Sequence, residues 1–393
     1  MPCATGVGRP HVSTESPLRR AFEDVSDLTV GAEEELLLLD PVTLDPAPAA
    51  EWLLAEIGES WAHPELWSAQ IELVSGAGES PADAVGDLRA ARTRLLDVLA
   101  GRLRIAGLGT HPLALPAEDF HPGERYEAIV DRHRLGARLG ALASGLHVHV
   151  AVAGADRALA VYNAMRGYAP LFTALAANAP FVGGRDSGLA TVRPMLADAL
   201  PHQGVGPPLA SWTALEELLE WGRRTGAIPD AAQLWWECRL NLRHGTIELR
   251  APDTQGSLDD TLGLVALAHA LVADLCERLD GGERLPASDT MPIQENRWRA
   301  MRFGMEAELI DLADDRPVSA REAVAEVLEQ VARHAAPAAL DRVRVRAARD
   351  EPGEQRALAR TAGPAAIAGL AADTTEAAAG MTPAPDGYVR IHG

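Results

Sequence analysis

Three consecutive glutamates, Glu33, Glu34 and Glu35, stand inside the otherwise apolar run TVGAEEELLLLD, residues 29–40. The run reads as a β-strand stopped by the turn-rich DPVTLDPAP. Side chains alternate along a strand, so Glu33 and Glu35 share one face. Glu34 takes the other face, beside Leu36 and Leu38. Two carboxylates roughly 7 Å apart on one pleated face repel each other unless water surrounds them or a cation lies between them. Taken alone, these residues fit a solvated strand end.

The same alternation in four further segments changes that balance. In QIELV, Ile71 and Leu73 form the core face and Glu72 the open one. In GLHVHVAV, Leu146, Val148, Val150 and Val152 face one way, and His147 and His149 the other. In TIELRAP, Ile247 and Leu249 face in, while Glu248 and Arg250 face out. In WWECRLNLR, Trp236, Cys238, Leu240 and Leu242 oppose Glu237, Arg239, Asn241 and Arg243, and His244-Gly245 marks a hairpin turn. Five strands therefore offer a polar face of carboxylates, a histidine pair and arginines. Hard carboxylate oxygens suit Mg²⁺ or Mn²⁺, and arginines clamp phosphate or carboxylate. Together these are the parts of phosphoryl transfer. Neither GxxxxGK[ST] nor a GxGxxG between strand and helix is present, so ATP would be held by the sheet face and metal. His147-x-His149 also reads as half of a zinc site, but no HExxH or third ligand stands at metal spacing.

The remaining segments are mostly helical. SPADAVGDLRAARTRLLDVLAGRL carries a Ser80 cap and Pro81 at the first helical position. GERYEAIVDRHRLGARLGALAS reads as helix, DRALAVYNAMRGYAPLFTALAAN as one long buried helix, and APFVGGRDSGL as a glycine-rich loop. From Ser257 the chain is helical, including ENRWRAMRFGMEAELI, to about Ala378. No linker divides it. The expected organisation is a loose leader over 1–24, one domain over 25–378 and a tail over 379–393, of α+β class with an antiparallel sheet. A net charge of -20, from 36 basic and 56 acidic residues, argues against nucleic-acid and membrane-surface partners. Three distant cysteines without a CxxC, no signal-like start and no apolar run of roughly 18 residues point to a cytoplasmic protein.

The motifs GAEEELLLLDPVT, QIELVSG, GTHPLA, RYEAIV, GLHVHVAV, ANAPFVGGRDSGLATVR, WWECRLNLRHGTIELRAPD and ENRWRAMRFGMEAELI follow one another over roughly residues 28 to 312. As a set the chain resembles the carboxylate–amine ligase family, the type 2 glutamate–cysteine ligase-like proteins. The resemblance implies a fold related to glutamine synthetase, a curved antiparallel sheet flanked by helices with the site in its concavity. It implies ATP-dependent amide formation through an acyl phosphate, with a small-molecule carboxylate and an amine as substrates. It matches metal-binding acids to Glu33, Glu35, Glu72 and Glu248, and nucleotide- or substrate-contacting positions to His147, His149, Arg239 and Arg250. Relatives suggest a homo-oligomer, which leaves the state of this chain open. One stretch departs from the family: its tyrosine and Trp-Arg-Trp-Pro-like segment are replaced by Leu189 and PMLADALPHQGVGPP. That region is expected to line the substrate pocket, so the substrates can differ from glutamate and cysteine.

The expected roles follow. Glu33, Glu35, Glu72 and Glu248 hold metal, and Arg250 with Glu35 carries catalysis. His147 and His149 bind metal, nucleotide or substrate. Arg239 and Arg243 hold nucleotide or the substrate carboxylate, or form a plain hairpin surface pair. Asp186 and Arg193 belong to a water-excluding lid or an ordinary loop. Arg299 and Arg302 share a helix face, better explained by solvent than by phosphate. Trp235, Trp236 and Trp298 are expected in the core. The competing functions are a metal-dependent amide hydrolase using the same acids and a non-catalytic ligand-binding relative.

Overall fold

A computed structural model describes residues 17–380 and the short strand pair Thr382–Pro383 and Val389–Arg390. Its main sheet has seven strands: β1 (Val30–Leu39), β2 (Ala62–Pro64), β3 (Gln70–Val74), β4 (Arg104–Ala106), β5 (Leu146–Ala151), β6 (Cys238–Asn241) and β7 (Thr246–Leu249). The spatial order is β6-β7-β5-β1-β3-β2, β4 also pairs with β1, and every pairing is antiparallel. This is the expected α+β class.

The alternation sorts the faces as anticipated. Leu36, Leu38, Ile71, Leu73, Leu146, Val148, Val150, Ile247 and Leu249 enter one core. The helices Pro81–Leu99, Ala155–Met165 and Leu258–Asp280 contribute to it. On the other face of β1, Glu33 and Glu35 give way to Leu37 and Leu39, which join a second core with Trp67, Ala106 and Leu142. The charged patch therefore begins where the second core ends.

Glu34 has a separate explanation. It is fully buried on the first core's side and takes both forks of Arg92: Nε donates to Oε1 and Nη2 to Oε2, each at 2.7 Å. Arg92 also donates to the carbonyls of Gly256 and Gln255, at 2.6 and 2.9 Å. Its helix is started by a capping box between Ser80 and Asp83, with Pro81 at the first turn. The middle glutamate is thus a structural ion pair that ties β1 to this helix.

Several expectations are corrected. The expected leader contains, at Pro17–Glu23, a helix whose Phe22 is fully buried against Trp212, ring centroids 5.3 Å apart. A seven-residue helix is too short to announce itself by periodicity. Residues 1–16, and most of the expected tail, lie outside the described residues, but Ala379 is buried in the first core. The long buried helix is two, Ala155–Met165 and Ala169–Ala176, with Pro170 in the first turn of the second, where its missing N–H costs nothing. The helix after Gly123 is likewise split at Arg134, which has φ of 48°. The end of ENRWRAMRFGMEAELI leaves the helix after Phe303 and becomes the strand Glu308–Ile310. Trp298 is half exposed, whereas Trp236 is buried as expected.

Candidate active site

The strand register assembles the polar face in rows. Glu35 stands opposite Glu72, Glu33 opposite His147, His149 opposite Glu248, and Glu248 opposite Arg239. Residues distant in the chain become neighbours because antiparallel pairing puts same-face positions side by side.

Glu33 sits between the two histidines. Its Oε2 lies 3.1 Å from His147 Nδ1 and its Oε1 3.2 Å from His149 Nε2. Burial pushes the Glu33 carboxyl up, but His149 and His147 together outweigh it and hold the group far below the usual carboxylate range. Glu35 Oε1 is 3.5 Å from His147 Nε2, and its Oε2 accepts the backbone N–H of Gly145. Gly145 leaves room for a close approach: a Cβ there would lie 2.2 Å from Arg193 Nη2 and displace the guanidinium. Burial and the neighbouring Arg250 push His147 down; for His149 burial acts in the same sense, but Glu248 and Glu33 raise it. Both Nε2 atoms are buried, with Glu35 Oε1 facing that of His147 and Glu33 Oε1 that of His149.

Two groups of side chains have the spacing for a cation. Oxygens of Glu35, Glu65 and Glu72 lie within 4.8 Å of one another, and so do ligand atoms of Glu33, Glu72 and His147. Burial, then the charge of Glu35, pushes the Glu65 carboxyl up to about 8. Burial, then Glu65, Glu33 and Glu35, raises Glu72 well above its ordinary value. Hard oxygens crowded until they resist ionising, beside a buried imidazole, are a donor set that fits Mg²⁺ or Mn²⁺. A divalent cation would remove the repulsion that raises these groups. Glu65 escaped the sequence reading. It lies in the loop between β2 and β3, outside any alternating run, and only folding brings it to Glu72.

Glu248, expected as a metal ligand, stands in neither group. It is fully buried, and Arg239 holds it bidentately, at 2.8 and 2.9 Å. Arg250 and Asn241 donate to it at 2.6 and 2.7 Å. Burial pushes this carboxyl up, but Arg239, His149 and Arg250 hold it well below its ordinary value. Arg239 spends its remaining nitrogen on the carbonyls of Ala232 and Leu234. Arg243 is not on a strand face: it is exposed in the turn between β6 and β7. Arg250 reaches further in, with Nη1 3.4 Å from His147 Nδ1.

Beside these acids lies a cavity of about 120 Å³. Glu35, Glu65, His147 and Arg250 line it, together with Arg125, Tyr126, Arg193, Gln203, Trp235 and Glu237. Pro194, Ala197, Leu200 and Gln203 come from the stretch expected to line a substrate pocket. Arg193 enters this cavity, whereas Asp186 is exposed and pairs with Arg356 at 2.8 Å. Arg299 bonds Glu295 and the carbonyl of Glu308, and Arg302 the carbonyl of Gly188, so neither reaches the acids.

The sequence profile of glutamate-cysteine ligase family 2 matches residues 29–356. The chain belongs to that family. Membership places it among ATP-dependent carboxylate–amine ligases, as its motifs implied. Relatives of this family carry the provisional name glutamate–cysteine ligase 2. One from Rubrobacter xylanophilus is 38% identical over 307 residues, covering 76% of this chain and 82% of its own. Another, from Thermobifida fusca, is 34% identical over 336 residues, 79% of this chain and 84% of its own. The family fold recurs in solved structures. A Francisella tularensis glutamate–cysteine ligase in complex with AMP matches with a TM-score of 0.65 at 12% identity, over 91% of this chain and 90% of that one. A bifunctional glutathione synthetase from Pasteurella multocida matches with a TM-score of 0.66 at 16% identity, over 92% of this chain and 54% of that one. No helix among the described residues is long and apolar enough to cross a membrane.

Proposed function

We propose that this protein uses ATP and Mg²⁺, or Mn²⁺ in its place, to join the carboxylate of an amino acid such as glutamate to an amine. In this reading a carboxylate oxygen attacks the γ-phosphorus of ATP and ADP leaves. The amine nitrogen then attacks the acyl carbon of the acyl phosphate, inorganic phosphate departs with the C–O bond electrons, and the nitrogen loses a proton. The bound metal supplies charge neutralisation at the phosphates. Glu33, Glu35, Glu65 and Glu72, with His147, would hold it. Arg250 neutralises charge on the transferring phosphoryl group. Glu248, Arg239 and Asn241 fix the Arg250 guanidinium in place, which is the role their hydrogen bonds support in preference to metal or substrate binding. The cavity, partly closed over by its lining residues, limits the access of water to an acyl phosphate.

The observation that carries the reading is the convergence of Glu35, Glu65 and Glu72 within 4.8 Å beside a cavity that Arg250 also lines. An ADP-release assay with pools of amino acids and amines tests it. Release is expected only when Mg²⁺ and a carboxylate are both present. Carboxylate turnover that needs metal but no nucleotide would favour the hydrolase reading instead, and ligand binding without ADP release would favour a non-catalytic relative.

A further inference from the structure

The segment after β7 begins with Arg250, and a side chain from elsewhere holds its backbone. Arg193 opens the short helix Arg193–Ala197 and is buried. Its Nη2 donates to the carbonyl of Arg250 at 2.9 Å, and its Nη1 to that of Ala251 at 3.2 Å. The same guanidinium lies against Gly145, in the space a Cβ would fill. Gly145 gives its N–H to Glu35 Oε2, and its carbonyl accepts the backbone N–H of Glu35 at 3.1 Å. One arginine therefore packs between the backbone that carries Arg250 and the backbone that holds Glu35.

The segment ends on a buried acid. Asp253 is 1% exposed, and its Oδ2 accepts the N–H of Asn178 at 3.0 Å. Burial pushes this carboxyl up to about 6; Arg193 opposes the rise most, followed by the Thr191 hydroxyl, the Asn178 N–H and Arg346. Arg193 spends both terminal nitrogens on neutral carbonyls, so Asp253 supplies a countercharge to a cation that burial would otherwise penalise. Asp253 Oδ1 and Arg193 Nε are both buried without a hydrogen bond, and each is the complement the other lacks. Asp253 is tied to the same glycine. It bridges to Gly145 in antiparallel fashion, and the neighbouring Thr254 Oγ1 donates to the Gly145 carbonyl at 2.7 Å.

We propose that Arg193 and Asp253 form a buried clamp that fixes the backbone of Arg250 relative to Glu35. They are positioning residues, acting through Arg250 and not on the substrate. The kinetic consequence rests on the ligase reading; the clamp itself rests on the hydrogen bonds to the backbone. Displacing a group that neutralises charge by about 1 Å can cost about 10²-fold in rate, even when the substitution lies away from the chemistry.

The test is a double-mutant cycle on ADP release by the full-length protein, with Arg193→Gln and Asp253→Asn made alone and together with Arg250→Ala. Each single variant is expected to lower kcat by about 10²-fold with the carboxylate KM unchanged. Arg193→Lys, which keeps the charge and a donor, recovers part of that loss and closes the cycle by the mildest change. In the Arg250→Ala background the same substitutions cost less than about twofold, because they act through the group already removed. A loss that stays about 10²-fold in that background, or a raised KM with kcat unchanged, shows that Arg193 meets the substrate itself and overturns the clamp. Hydrogen exchange without substrate reads the clamp independently of turnover. The amides of Arg250 and Thr254, bonded to the carbonyls of Glu237 and Ser144 at 2.7 and 3.3 Å, are expected to exchange faster in both variants. Unchanged exchange in the helix Leu258–Asp280 shows that the fold persists. Unchanged exchange at the two amides overturns the clamp and leaves the ligase reading untouched. Faster exchange in a protein that never releases ADP leaves the clamp standing and removes the ligase reading.

Discussion

Replacing Arg250 with alanine is expected to lower kcat by about 10³-fold or more, the range seen when a guanidinium that neutralises a transferring phosphoryl group is lost. Arg250 follows β7 directly, lines the cavity, and brings its guanidinium within 3.4 Å of His147 Nδ1. It is held by one ion pair to Glu248 at 2.6 Å, while Arg239 and Asn241 occupy the same carboxylate independently. Removing Arg250 therefore leaves Glu248 still paired, and the fold should persist. Steady-state ADP release, with circular dichroism as the control for folding, gives the answer. A fall of less than tenfold in a folded variant would remove Arg250 from the chemistry.

Replacing Arg92 with alanine is expected to cost about 3–5 kcal/mol of stability without a direct effect on the site. The substitution strands the Glu34 carboxylate at zero exposure and frees the carbonyls of Gln255 and Gly256. The penalty comes from the unpaired buried charge, not from the worth of the pair itself. Urea denaturation measures it; a loss below about 1 kcal/mol would show that the pair is not a tie between the strand and the helix. The contrast with Glu33 and Glu35 is informative, since one residue of register separates a structural glutamate from two on the polar face, of which Glu35 lines the cavity.

That contrast was readable from the sequence. Alternation placed Glu33 and Glu35 opposite Glu34, grouped Glu72, His147, His149 and Glu248 on one face, and assigned the apolar residues of the same strands to the core. Period-two patterning works well here because one face of the sheet is sealed against helices, which fixes the register. What alternation could not reach was anything set by loops or by short elements. Glu65 stands in the connection between β2 and β3, and no periodic signal connects it to Glu72. Arg243 was assigned to a strand face because the hairpin turn takes up residues 242–245, so the face ends two residues earlier. The roles of Glu248 and Arg239 depend on which of their oxygens and nitrogens are already spent, a property of side-chain geometry. The helix Pro17–Glu23 is hidden by its length, although Phe22 fills a core position against Trp212.

The central claim is that acids from β1, β3 and the loop before it share a divalent cation. Calorimetric titration of Mg²⁺ into the nucleotide-free protein at about pH 6 and about pH 9, with Glu72→Gln as the comparison, tests it most directly. Glu65 is pushed up to about 8, so it holds a proton at the lower pH, and the Glu72 carboxyl is raised in the same sense. Ionising Glu65 costs the unliganded fold stability as pH rises from 4.5 towards about 8, and a bound cation offsets that cost. The account predicts Mg²⁺ affinity that strengthens with pH, proton release on binding at the lower pH, and loss of both in Glu72→Gln. Affinity that does not change with pH, or binding that survives in the variant, would contradict it.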